Sequence, residues 1–84
     1  MAAEQVPTLF IVTDYRVVAD SANDGYAVIS NTTQHKTRKA ADARYYAAIA
    51  AAANNQTHPV MGAHMVATTG AVLASKSYAL SDTE

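Results

Sequence analysis

From Thr8 to Ala19 the chain reads TLFIVTDYRVVA, a run rich in β-branched and aromatic residues. Taken in alternation, Leu9, Ile11, Thr13, Tyr15, Val17 and Ala19 share one face. Asp14, Arg16 and Asp20 share the other, preceded there by Phe10 and Val12. A period of two predicts a strand. Its two apolar faces at the start suggest cover on both sides there, and its far end reads as half-buried. Asn23-Asp24-Gly25 follows, and a glycine that accepts positive φ suits a tight turn. YAVIS, residues 26–30, then reads as the returning strand of a hairpin.

From Thr33 to Asn54 the period becomes helical. Ala41, Tyr45, Ala48, Ile49 and Ala52 recur at i, i+4, i+7, i+8 and i+11 and form one stripe. Nine alanines between Ala40 and Ala53 strengthen the helix, since alanine has the highest helix propensity. Thr33 and Thr37 are both candidate N-caps, and neither has Glu or Gln three residues on to close a capping box. Asn54-Asn55 suits a left-handed helix end. Pro59 forbids continuation of the helix, so QTHPVMG is a connector. Two β-rich runs around Thr69-Gly70 read as a second hairpin, although residues 71–80 also tolerate a helix. The sum is a small α+β domain, β-β-α-β-β: one antiparallel sheet with one alanine-rich helix packed on a face. It is a single domain over residues 1–84, with 1–7 and 81–84 as flexible tails.

Composition alters this picture in one respect. Half of the 84 residues are hydrophobic, but much of that share is alanine, which buries little area. The core is therefore thin, and self-association is a natural supplement for a domain this small. There is no cysteine, which excludes disulfides, thiolate metal sites and a cysteine nucleophile. The N-terminal segment lacks a basic n-region, and no stretch approaches a membrane span. The expectation is a soluble, cytoplasmic protein without membrane contact, in the host cytoplasm if the source is viral.

Net charge is −1, so no global field draws the protein to nucleic acid. The distribution is less even. Lys36, Arg38, Lys39 and Arg44 are four of the six Lys and Arg residues, and they gather at the start of the helix, where the macrodipole disfavours cations. Either they bind an acidic partner or a phosphate, or they satisfy nearby Asp residues. Opposite the Tyr45–Ile49 stripe lie Ala40, Ala43, Ala47, Ala50 and Ala51, a face that lacks the Glu, Lys and Gln of most exposed helices. Tyr46 and Ala47, with Lys36, Arg38, Lys39 and Arg44 as a charged rim, are the candidate partner-binding residues.

Chemistry adds little. His58 and His64 are six apart with no local carboxylate to complete a metal site. No nucleophile elbow, phosphate loop, dinucleotide fingerprint or paired-histidine zinc motif is present. No cofactor, metal or catalytic residue is therefore expected. The expected function is that of a non-enzymatic protein-binding module, an inhibitor or adaptor, whose partner is another protein with an acidic rim. Size and composition, with no motif behind them, also match the small inhibitors that phages deploy against host defences. Two alternatives are nucleic-acid or phosphate-ligand binding at the basic helix start, and a homodimeric or larger structural assembly.

Overall fold

The computed structural model describes residues 7–22 and 25–80. The tails expected at 1–7 and 81–84 lie outside these residues except for Pro7, as do Asn23 and Asp24 of the first turn. The elements run β1 (Phe10–Asp20), β2 (Gly25–His35), α1 (Arg38–Ala53), β3 (Val60–Ala67) and β4 (Val72–Ala79). The strands form one sheet in the order β2-β1-β3-β4, every neighbouring pair antiparallel. This is the expected α+β domain, with β1 central. Residues 71–80, compatible with either structure by sequence, contain strand β4.

Two boundaries differ from the sequence reading: the connector QTHPVMG ends at Pro59, because Val60, Met61 and Gly62 already pair with Val17, Arg16 and Tyr15 as the start of β3, and β2 is longer than expected. β2 does not stop at Ser30 but continues to His35, so Thr33 is a strand residue and not a helix cap. The cause is cross-strand pairing. Thr32 sits opposite Thr13, with their hydroxyls 3.1 Å apart, and the Thr33 hydroxyl donates to the Val12 carbonyl at 3.4 Å. β-Branched residues fit such a pleated surface well. Thr37 is the cap instead. Its backbone is extended, and its hydroxyl accepts the Ala40 N–H at 3.1 Å. At the other end Asn54 has φ −93°, so the helix does not close with a left-handed residue there. The Asn54 backbone and side-chain N–H groups both donate to the Ala50 carbonyl.

Two side-chain and glycine devices fix the turns. The Asn55 carboxamide oxygen accepts the Thr57 and His58 N–H groups at 3.1 and 2.9 Å, shaping the connector before Pro59. Gly70 adopts φ 99° between β3 and β4, a conformation that a residue with Cβ rarely takes.

α1 carries the chain from β2 across β1 to β3 and packs chiefly on β3 and β1. The stripe read from the sequence is the face it buries: Ala41, Tyr45, Ala48 and Ala52 are buried, and Ile49 packs against them. They meet Val12, Ala63 and Met65 from the sheet, with Phe10, Leu73 and Ala74 at the margin. Among the described residues, Met65 and Val12 are the large side chains hidden completely. The protein is thus two layers with a thin core, and its Cα atoms span 15 Å along the shortest axis.

Candidate partner-binding surfaces

The four clustered cations divide into two pairs. Arg38 donates through Nε to Asp42 at 2.9 Å, one helical turn on. Arg44 reaches down to the sheet and donates to Asp14 on β1 at 2.7 Å. These bonds explain how a helix tolerates cations at its positive end: two of the guanidinium groups are neutralised locally. Lys36 and Lys39 are exposed and have no ion-pair partner among the described residues. The free charge of the cluster is therefore two lysines beside the helix start.

The outer face of α1 continues from Lys39 through Ala43, Tyr46, Ala47 and Ala50, all exposed. Tyr46 is 65% exposed, and its ring makes an edge-on contact with the buried Tyr45 ring, centroids 5.6 Å apart. From Tyr45 to Asn54 the helix bears no charge. Of the six residues singled out by sequence, Lys39, Tyr46 and Ala47 thus lie on the accessible side of the helix, and Lys36 is exposed just before its cap. Arg38 and Arg44 are engaged in ion pairs, Arg44 with its side chain two-thirds covered.

The second surface was not identified from sequence. The register assigns every strand residue to a face. Phe10, Val12 and Asp14 point toward α1, as the core contacts and the Arg44 ion pair require. By alternation and pairing, Arg16, Asp20 and Lys76 lie on that side too. All four charged residues of the strands therefore face the helix layer. The opposite face carries Ile11, Tyr15 and Val17 from β1, Tyr26 and Val28 from β2, Val60 and Val66 from β3, and Val72 from β4. Its polar members are Thr, Ser and Gln residues and His64. This open face has no Asp, Glu, Lys or Arg side chain, and its His64 ring lies 6.4 Å from that of Tyr15. The Leu9-to-Ala19 series that sequence reading put on one face does share a face, but it is this uncovered one.

Elsewhere, burial raises the Tyr45 phenol above its ordinary range, with nearby Lys76 opposing the shift. Among the described residues no three His, Asp or Glu side chains are placed to hold a metal ion. No described helix is long and apolar enough to cross a membrane. Compared with known proteins, the chain matches no family model, no curated protein and no solved structure.

Proposed function

We propose that this chain is a non-enzymatic protein-binding module that docks through the outer face of α1 onto an acidic-rimmed groove of another protein. The observation that carries this reading is Tyr46. It is 65% exposed and is the one aromatic ring on an outer helix face otherwise made largely of alanine, the side chain there best able to fill a partner's pocket. Tyrosine is among the residues enriched at interface hot spots. The Tyr45 contact restrains the ring before binding, which reduces the ordering cost. The flanking alanines have no side-chain rotamers to lose and let a partner's backbone approach closely.

Lys36 and Lys39 define the partner's chemistry. Neither has an ion-pair partner among the described residues, and the one carboxylate beside the patch, Asp42, is held by Arg38. A second α1 packed antiparallel would set these lysines against the uncharged Ala53–Asn54 end, so a foreign partner with carboxylates at its rim fits better. Such rim charges chiefly set association rate and specificity.

The test is affinity capture from the source cells, followed by titration of the recovered, purified protein. Wild type is compared with Ala47→Glu, Lys39→Glu and Ser77→Ala, the last on the other side of the sheet. The reading expects one protein retained by wild type and Ser77→Ala and weakened at least tenfold by each helix substitution. A set of bound proteins indifferent to Ala47 and Lys39, or shared RNA in place of protein, would overturn it.

A further inference from the structure

The charged residues of this sheet lie on the unexpected side for a free-standing two-layer domain. With a helix on one face, the other face should meet water and take the charged side chains, giving an apolar-in, polar-out alternation. Here all four charged strand residues point to the helix side, where Asp14 is held by Arg44. The other way point Ile11, Tyr15, Val17, Tyr26, Val28, Val60, Val66 and Val72, with no Asp, Glu, Lys or Arg among their neighbours on that face. Tyr26, Val28 and Val72 on that face are 60%, 66% and 68% exposed. They belong to two apolar rows that cross the sheet, Val28, Val17 and Val60 with Tyr26 at one end and Ile11, Val66 and Val72 at the other, and Tyr15 stands between them among Ser30, Thr13, Thr32, His64, Ser75 and Ser77.

We infer that the open sheet face is a homodimer interface, on which a second copy of this chain seats its own open face around a two-fold axis. The occupant is argued from charge and from area. In a two-fold interface the same patch lies on both sides, so a charge near the axis meets its own like. A face bearing only neutral residues and one histidine is free of that penalty. A foreign partner chosen by complementary charge has nothing on this face to read, in contrast to Lys36 and Lys39 on α1. Strands of these lengths, at about 4.8 Å spacing and about 3.4 Å per residue, give a footprint near 600 Å². Side-chain relief raises the accessible area toward the roughly 800 Å² per partner of a stable interface.

The assembled particle is a four-layer sandwich, α/β/β/α, with the two sheets about 10 Å apart. Its seam contains Ile11, Tyr15, Val66 and their two-fold mates, doubling a core that is thin in one protomer. Both copies of α1 are left on the outside, so the dimer presents two Tyr46 faces at once.

Light scattering on the purified full chain at micromolar concentration tests this directly. The expected mass is twice that of the chain. Val28→Glu and Val72→Glu, at opposite sides of the sheet, should each shift it to the monomer mass, as should Ser75→Glu on the same face. Circular dichroism and thermal melting verify that each variant folds, and these three positions are exposed in the single chain, so one misfolded variant leaves two readouts. Ala50→Glu on the outer face of α1 should leave the dimer intact. A monomeric wild type would overturn the inference. So would a dimer lost with Val28→Glu alone, which marks pairing through the β2 edge, or one lost with Ala50→Glu, which marks a helix-mediated dimer. These outcomes are independent of partner capture by α1, because they require no second protein.

Discussion

Arg44 on α1 and Asp14 on β1 are joined by a 2.7 Å charge-assisted hydrogen bond that spans the two layers of the fold. Both side chains are roughly two-thirds to three-quarters covered, so this pair is better shielded than a surface ion pair. Loss of either partner leaves a partly desolvated charge behind. Arg44→Ala and Asp14→Ala should each lower stability by about 1–2 kcal/mol. The double variant should cost less than the sum, by about 0.5–1 kcal/mol, in a denaturant-melt cycle. Additive losses would mean that the bond contributes nothing of its own.

A second constraint sits on the open face. A Cβ placed on Gly62 would stand 2.6 Å from the Tyr15 hydroxyl, 2.7 Å from the Lys76 carbonyl oxygen and 2.7 Å from the Ser77 Cβ. Gly62→Ala should therefore destabilise by about 1–3 kcal/mol through overpacking. Removing the hydroxyl with Tyr15→Phe relieves only one of the three contacts. The double variant should stay well below wild type in thermal melting, and full rescue would show that the tyrosine alone set the limit.

Thr37 is the one side chain seen to satisfy a donor at the start of α1, through Ala40 N–H. Thr37→Ala should cost about 1 kcal/mol, and Thr37→Asp should retain most of the stability. Thr33→Ala, at the position that sequence reading offered as an equal cap, acts on the sheet instead. Helix content measured by circular dichroism at intermediate denaturant separates the two effects.

Tyr45 supplies a pH dependence. Its phenol is neutral when protonated, and burial lifts the folded-state pKa above the ordinary tyrosine value. Below the unfolded pKa, near 10, both states hold the proton and the group contributes no slope. Above it the unfolded chain ionises first, so stability falls as pH rises toward the folded-state pKa. Tyr45→Phe should flatten that alkaline loss, read from melts across the range. An unchanged slope would place the sensitivity on another group.

Much of the fold is written in the alternation and spacing of apolar residues. The stripe Ala41, Tyr45, Ala48, Ile49 and Ala52 is visible in the chain and is the stripe that packs. The β2–α1 boundary is less legible, because Thr32 and Thr33 suit a strand or a cap equally until Thr13 and Val12 pair with them. The candidate site divides the same way. Lys39, Tyr46 and Ala47 can be placed on the outer helix side from a helical wheel, whereas Lys36 falls before the Thr37 cap and the partners of Arg38 and Arg44 depend on contacts of four and thirty residues. The open sheet face escapes sequence reading altogether. Alternation in β1 separates two faces but does not say which one α1 covers, and the more apolar of the two is the natural choice. The helix takes the other, because Phe10 and Val12 lie beside Met65 and Ala63 there and Arg44 meets Asp14.

The central claim is that α1 presents Tyr46 to a foreign protein, and it is tested most directly by photo-crosslinking in the source cells from a photoreactive residue placed at position 46. The structure-based reading predicts one dominant adduct to a different protein, reduced when Lys36→Glu and Lys39→Glu are added. An adduct of twice the chain mass from position 46, or none at all, would contradict it.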